Sequence, residues 1–127
     1  MASKRSSIAF EFVLEELHEL NPAVKPMFGC HALYIGEAIV LITRKKDSHL
    51  EDNGVWVATT HEHHESLRKE FPSLRNIILL GGPKSNWQNI PANADDFEES
   101  VLKVCTLIRK RDKRIGKVPK PRKRKKN

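Results

Sequence analysis

The residues whose side chains are best suited to bind a metal or to catalyse a reaction are a cluster of histidines and glutamates at positions 61–65, His-Glu-His-His-Glu. If this stretch is helical, His61 and Glu65 lie on one face and could share a metal ion. The spacing is not the His-Glu-x-x-His pattern of zinc hydrolases, and nothing in the sequence places a third ligand nearby, the candidates being His31, His49 and Cys30. We therefore expect histidines at the start of a solvated helix and no metal site.

Two further features resemble parts of catalytic sites. Cys30 and His31 are sequence neighbours, but Cys/His catalysis requires side chains that converge in space and a third group that orients them. Residues 80–85, Leu-Gly-Gly-Pro-Lys-Ser, lack the spacing of a phosphate-binding loop and should enter a strand hairpin instead of a helix. We therefore predict a protein that is not an enzyme and binds no cofactor.

Positive charge is concentrated near the C-terminal end of the sequence. Residues 109–127 contain twelve basic side chains and one acidic side chain, a net charge of +11, whereas residues 1–108 contain eleven basic and fifteen acidic side chains, a net charge of −4. The segment has little apolar area and two prolines, which predicts disorder and no contribution to stability. It is either a solubilising end or an arm that binds polyanions such as nucleic acid.

Two predicted hairpin tips add basic residues to this segment. Lys45 and Lys46 follow the second predicted strand, where their charge is partly cancelled by Asp47, Glu51 and Asp52. Lys84 lies near Asn86 and Trp87, a mixture that wing-like loops present to phosphate and sugar, although an ordinary turn with Trp87 in the core is the alternative. The candidate nucleic-acid-binding residues are Lys45, Lys46, Lys84, Arg109, Lys110, Arg111, Lys113, Arg114, Lys117, Lys120, Arg122, Lys123, Arg124, Lys125 and Lys126.

The elements that must position these residues follow from hydrophobic periodicity. Ser6 or Ser7 can cap a helix that runs to Leu20, with apolar residues on one face and acidic residues on the other. An extended linker over residues 23–26 follows. The apolar runs 31–35 and 38–42 are separated by Gly36 and Glu37, which predicts a hairpin with a positive φ at Gly36. The second run is apolar throughout, as in a central strand covered on both faces.

The second half of residues 1–108, here called the body, repeats this alternation of strands and helices. Residues 54–60 predict a third strand of a meander, and Thr60 can cap a helix over residues 61–71. Residues 76–80 and 87–90 predict a second hairpin. Asn93 or Asp95 can cap a last helix, whose inner face comprises Phe97, Val101, Val104, Cys105 and Ile108. The order αβββαββα predicts an α+β fold, a two-layer sandwich with an antiparallel sheet, over residues 1–108.

Composition limits the class of protein. Hydrophobic residues make up 39% of the chain and charged residues 31%, and the longest apolar run, residues 38–42, is far shorter than a membrane span. No signal-peptide pattern opens the sequence, so we expect a cytoplasmic protein with no membrane partner. Two cysteines do not make a disulfide framework.

Several stretches resemble two related families. Residues 25–35, Lys-Pro-Met-Phe-Gly-Cys-His-Ala-Leu-Tyr-Ile, resemble the Met-Phe-Gly-Gly-x-Gly-Leu-Tyr segment of TfoX N-terminal domains, with Cys30 and His31 departing from that pattern, and residues 87–91 and the last helix also resemble that domain. Residues 70–74, 84–87 and 97–102 are similar to YjbR (MmcQ) proteins. The resemblance implies the αβββαββα architecture, shared with secretion chaperones, and a double-wing fold associated with DNA binding.

Two functions remain open at the level of sequence. The first is a nucleic-acid-associated protein whose basic segment and hairpin tips neutralise phosphates with little sequence preference. The alternative is an adaptor module that binds a peptide or forms a homodimer. Basic tips that converge with the exit of the basic segment favour the first function, and an exposed apolar strip on the sheet favours the second.

Overall fold

The fold is α+β, with helices packed against one antiparallel sheet. The computed structural model describes residues 8–27 and 29–118. In that part of the chain the sheet has six strands in the order β1-β2-β3-β4-β6-β5. The helices are α1 (Phe12–Glu16), α2 (His64–Glu70) and α3 (Phe97–Arg109), and the strands are β1 (Ala23–Met27), β2 (Cys30–Ile35), β3 (Ala38–Arg44), β4 (Gly54–Val57), β5 (Arg75–Asn76) and β6 (Gln88–Pro91).

The first predicted hairpin is confirmed. Strands β2 and β3 pair in antiparallel register, and Gly36 in the tight turn has a φ of +62°. The register shifts beside Leu33, which leaves Val40 as an extra residue in β3, so that Val40 and Leu41 both enter the helix-side core. All positions of β3 after Ala38 are buried, as expected for a central strand.

The sheet buries a core on each face. Leu33, Leu41, Val55 and Ile90 face the helices and pack with the inner side of α3. The opposite, helix-free face has a smaller core around Trp56, whose Nε1 donates a hydrogen bond to the Asp52 carbonyl at 2.9 Å. The residues that pack with it are Cys30, Ala32, Ile39, Ile42, Ala58 and Ile77, flanked by Met27, Tyr34 and Trp87.

The N-terminal region differs from the sequence prediction in three ways. Helix α1 begins only at Phe12, with Glu11 at its N-cap position, and not after Ser6 or Ser7, because Phe10 has a positive φ of 55°. Helix α1 ends at Glu16 and is followed by a 3₁₀ turn over His18–Leu20, which ends where Asn21 takes a left-handed conformation immediately before Pro22. The predicted linker over residues 23–26 is instead the edge strand β1, paired with β2. Its exposed surface explains why no apolar run marked it as a strand. Ser6, Ser7 and Phe28 lie outside the described residues.

The second half of the body matches the prediction except in strand length. Helices α2 and α3 lie where the periodicity places them, although Asp96 precedes α3 instead of Asn93 or Asp95. Strand β4 ends at Val57. The second hairpin pairs only residues 75–76 with 88–89, because the Asp52 carboxylate accepts the backbone N–H groups of Ile78 and Leu79 and draws that segment out of the sheet.

The predicted domain boundary at Ile108 lies too early. Residues 112–117, here called the C-terminal strap, return to the sheet after α3. Ile115 is buried in the helix-side core, Gly116 donates a hydrogen bond to the Ala58 carbonyl, and Lys117 pairs with Ile39 through two backbone hydrogen bonds. The strap thus occupies the position beside β3 that β4 leaves empty beyond Val57. The folded unit therefore extends at least to Lys117, contrary to the prediction of a disordered segment from Arg109.

A side-chain clasp fixes the start of the strap. The Arg114 guanidinium donates to both oxygens of Asp112 at 2.8–2.9 Å, to Ser66 Oγ at 2.8 Å and to Glu70 Oε1 at 2.9 Å. Hydrogen bonds from Arg114 lower the pKa of Asp112 to about 2, and those from Asp112 raise the pKa of Arg114 further above its ordinary value. The clasp joins the strap to α2.

Candidate nucleic-acid interface

The basic residues at positions 109–118 divide into two groups. Arg114 is engaged in the clasp, and Arg109 donates to the Glu16 carbonyl at 2.6 Å and lies 3.3 Å from the Glu16 carboxylate. These two arginines are engaged in contacts within the fold, and their assignment to a nucleic-acid contact stays a prediction. The exposed basic side chains, which have no ion-pair partner among the described residues, are Lys110, Arg111, Lys113 and Lys117.

The remaining basic residues of the segment follow Val118 in the sequence. Lys120, Arg122, Lys123, Arg124, Lys125 and Lys126 lie outside the described residues. Among the described residues of the segment, Lys117 lies at the end of the sheet where β3 begins.

Lys84 lies at that same end of the sheet. Gln88 pairs with Val57, and Gly116 bonds to Ala58, so the turn before β6 and the strap flank the same strand end. Lys84 is exposed in a 3₁₀ turn, Gly82–Lys84. Trp87 is half-buried against Trp56, with ring centroids 6.1 Å apart, which places it at the margin of the helix-free core.

Lys45 and Lys46 lie at the opposite end of the sheet. They follow the last residue of β3, whereas Lys117 pairs with Ile39 near its start; five residues of extended strand separate these points by about 17 Å. Of the two predicted hairpin tips, the one with Lys84 therefore lies at the same end of the sheet as the strap, and the one with Lys45 and Lys46 does not. The structure brings together Lys84 and the strap and keeps Lys45 and Lys46 apart from them.

The acidic residues near Lys45 cancel less charge than the sequence suggests. Asp52 is fully buried, lies 3.8 Å from Arg75 and accepts hydrogen bonds from the Ile78 and Leu79 backbone. Its charge is thus neutralised internally. Arg44, by contrast, is 97% buried, and the acceptors of its hydrogen bonds include the carbonyls of Ser48 and His49 and the Asn53 side chain; it has no carboxylate partner among the described residues.

A cavity of about 450 Å³ opens beside Lys45 on the helix side of the sheet. His31 and Thr43 are direct cross-strand partners and both line it. Sequence reasoning missed this pairing because it considered His31 only as a possible metal ligand or partner of Cys30. Burial raises the pKa of the Cys30 thiol, an effect that Arg44 and Lys46 oppose. A protonated thiol is a poor nucleophile.

The histidine cluster has structural contacts. His64 Nε2 donates to the Asn86 carbonyl at 2.9 Å, and His61 Nε2 lies 3.3 Å from the Pro83 carbonyl, so the cluster joins α2 to the Lys84 turn. Burial lowers the pKa of His64, and the Asn86 hydrogen bond partly offsets this shift. Within residues 8–27 and 29–118, no three His, Cys, Asp or Glu side chains are grouped so that they could hold a metal ion.

Comparison with known proteins adds no relative. No family model, curated protein sequence or solved structure matches the chain. Among the described residues, none of the helices combines the length and apolar character that crossing a bilayer demands.

Proposed function

We propose that this protein is a non-enzymatic nucleic-acid-associated protein that holds phosphates with its C-terminal basic segment. The observation that carries the proposal is the separation of charge. Lys110, Arg111, Lys113 and Lys117 are exposed without an ion-pair partner among the described residues, and six more basic residues follow Val118 in the sequence, while residues 1–108 carry a net charge of −4. Clustered lysines and arginines attract a polyanion by releasing its counterions.

Binding of this kind reads phosphates and not bases. No helix of the described chain presents a row of Arg, Asn or Gln to solvent: the exposed side of α3, for example, carries Glu98, Glu99 and Lys103. Lys84 adds one cation at the same end of the sheet as the strap. We infer an architecture of the TfoX and YjbR kind, a two-layer sandwich; the packing of α1 and α3 on one face of the sheet supports it, and the additional strand β1 extends it.

The salt dependence of DNA binding tests this function. With ten phosphates contacted, log K should fall with log salt at a slope of about −9, and removal of residues 119–127 should reduce the slope to about −4. Lys84→Gln should reduce it by at most about one unit. Lys69→Gln, which removes an exposed charge on α2, is the matched control and should leave it unchanged.

Two results would contradict the proposal. Electrostatic binding is strongest at low salt, about 20–50 mM. If the full chain does not bind duplex DNA there, it lacks the proposed function. Equal slopes for the full chain and the chain ending at Val118 would place the contacts on the body instead. Fluorescence anisotropy with two unrelated duplexes measures both quantities and the sequence preference.

A second function, self-association, is favoured by one observation. Ile78 and Leu80, exposed by 55% and 48%, lie on the segment that crosses the helix-free face, and Leu50 is 64% exposed in the turn that contains Asp52. Apolar side chains grouped on an open sheet face are typical of interfaces. If two copies pair there, Ile78→Ser should convert a dimer to a monomer in light-scattering measurements, whereas Leu102→Ser on α3 should not. A wild-type monomer at 100 µM, near the upper end of weak affinities, would exclude the dimer.

A further inference from the structure

The cavity beside Lys45 has the size and placement of a small-ligand site. Its volume of about 450 Å³ lies within the range of roughly 300–1,000 Å³ that such sites occupy. Residues 8–10 form one wall, the start of β2 forms another, and the end of β3 closes it. It lies at the opposite end of the sheet from Lys117 of the C-terminal strap.

The strand register brings polar groups to this cavity from two strands. His31 of β2 is directly opposite Thr43 of β3. Lys45 follows Thr43 by two positions, the spacing that puts side chains on the same face of a sheet. Thr43 is fully buried, and its Oγ1 has no hydrogen-bond partner among the described residues. A buried hydroxyl without a partner costs free energy unless something else satisfies it.

The electrostatic environment of the cavity is positive. No acidic side chain lines it in the part of the chain that the structure describes. Lys46 comes so close to Gly29, another lining residue, that a Cβ at position 29 would lie 2.4 Å from Lys46 Nζ. Arg44, which lies in the sequence between the lining residues Thr43 and Lys45, is buried and has no carboxylate partner among the described residues. Uncompensated cations of this density attract an anion.

We propose that this cavity binds a phosphate monoester. Lys45 supplies a mobile cation at the mouth, His31 supplies a ring nitrogen at the wall, and the Thr43 hydroxyl supplies a donor at the floor. A phosphate offers three strongly accepting oxygens, which match these several donors better than a single carboxylate does. The inference goes beyond the function proposed above, because the site lies in the body and does not require the basic segment.

Titration of the full chain with inorganic phosphate tests the site. Saturable shifts in the amide NMR signals of Gly29, His31 and Thr43, against a chloride control of equal ionic strength, support it. Lys45→Gln should weaken the affinity roughly tenfold, as loss of a charge-assisted hydrogen bond does. The charge-matched Lys69→Gln, on α2, should leave the affinity unchanged.

A variant at Thr43 separates binding from folding. Thr43→Val removes the unpartnered hydroxyl without changing the shape of the side chain, so the melting temperature should hold or rise while phosphate binding weakens roughly threefold. A loss of stability with unchanged affinity would show that the hydroxyl serves the fold and would overturn its role. Absence of shifts at the three amides, or shifts confined to residues 109–127, would overturn the site.

The source of the phosphate is decided with two oligonucleotides. An eight-nucleotide single strand carrying a 5′-phosphate is compared with the same strand carrying a 5′-hydroxyl, and both with a nucleoside monophosphate. Tighter binding of the phosphorylated strand that Lys45→Gln abolishes assigns the site to a nucleic-acid end. Equal binding of both strands, with the monophosphate still shifting the three amides, assigns it to a small phosphorylated molecule. If DNA binding by the basic segment showed no dependence on salt, the phosphate-induced shifts at the cavity would be unaffected. The two proposals can therefore fail independently.

Discussion

Gly54 is the residue at which the backbone tolerates least change. Its φ is +148°, and a Cβ there would lie 2.1 Å from the Ile90 carbonyl oxygen. Gly54→Ala should therefore cost about 3 kcal/mol or more of unfolding free energy, because strain and a backbone clash combine. Gly36→Ala is the matched control: its φ is also positive, but it meets nothing within 4 Å, and we expect a cost of about 1 kcal/mol. Equal losses in urea unfolding would contradict this ranking.

The Asp112–Arg114 pair makes the stability of the strap depend on pH. The pKa of Asp112 is lowered to about 2 in the folded chain from an ordinary value near 3.8, so its contribution is complete above about pH 4 and is lost as the pH falls toward 2. Solvent screens the pair, and Asp112→Asn should cost about 1 kcal/mol at pH 7.

Urea unfolding at several pH values measures this effect. Between pH 4 and 2 the wild type should lose stability faster than Asp112→Asn, and the two curves should converge at the acidic end. Parallel curves across this interval would show that Asp112 has no special role. Glu99→Gln, which changes an exposed carboxylate in the first turn of α3, serves as the control for a general charge effect.

The contacts of individual side chains were the least predictable feature of the structure. Composition assigns Arg109 and Arg114 to one basic segment, yet each binds a residue far away in sequence, Glu16 and Glu70 respectively. Local spacing carries no information on such contacts. The register of β2 and β3 likewise decides that His31 faces Thr43, which neither residue signals by its type.

At the scale of elements, the strap is the feature whose removal should matter most. A chain that ends at Asp112 loses the buried Ile115 and the Arg114 clasp, and its melting temperature should fall by about 10 °C. A chain that ends at Val118 keeps both and should melt within about 2 °C of the full chain. Calorimetry of the three chains checks this. Equal melting temperatures would restore the boundary at Ile108.

Elements with strong local signals were predictable, and those that depend on distant partners were not. The Gly36 turn, the buried strand β3 and the apolar face of α3 follow from local patterns, and the structure confirms them. Strand β1 has no apolar alternation because it lies at an exposed edge. Strand β5 is short because the backbone N–H groups of Ile78 and Leu79, just after it, donate hydrogen bonds to the Asp52 carboxylate and not to β6.

At the scale of the whole molecule, net charge depends on residues beyond Val118. Residues 1–118 contain seventeen basic and sixteen acidic side chains, a net charge of +1, against +7 for the entire chain. Low net charge weakens repulsion between copies. The chain ending at Val118 should therefore precipitate at a lower polyethylene glycol concentration than the full chain at pH 7, and the difference should shrink in high salt. An unchanged precipitation midpoint would contradict this.

The two edge strands of the sheet, β1 and β5, affect whether the protein aggregates at high concentration. β5 pairs over only two residues, and β1 carries Lys25 and Pro26 in the middle of an open strand. Proline offers no N–H to an incoming strand, and a lysine charge opposes the stacking of identical copies. Neither border is a template for cross-β growth. The chain should therefore resist fibril formation, and Lys25→Val combined with Pro26→Val should expose it to seeding that the wild type withstands.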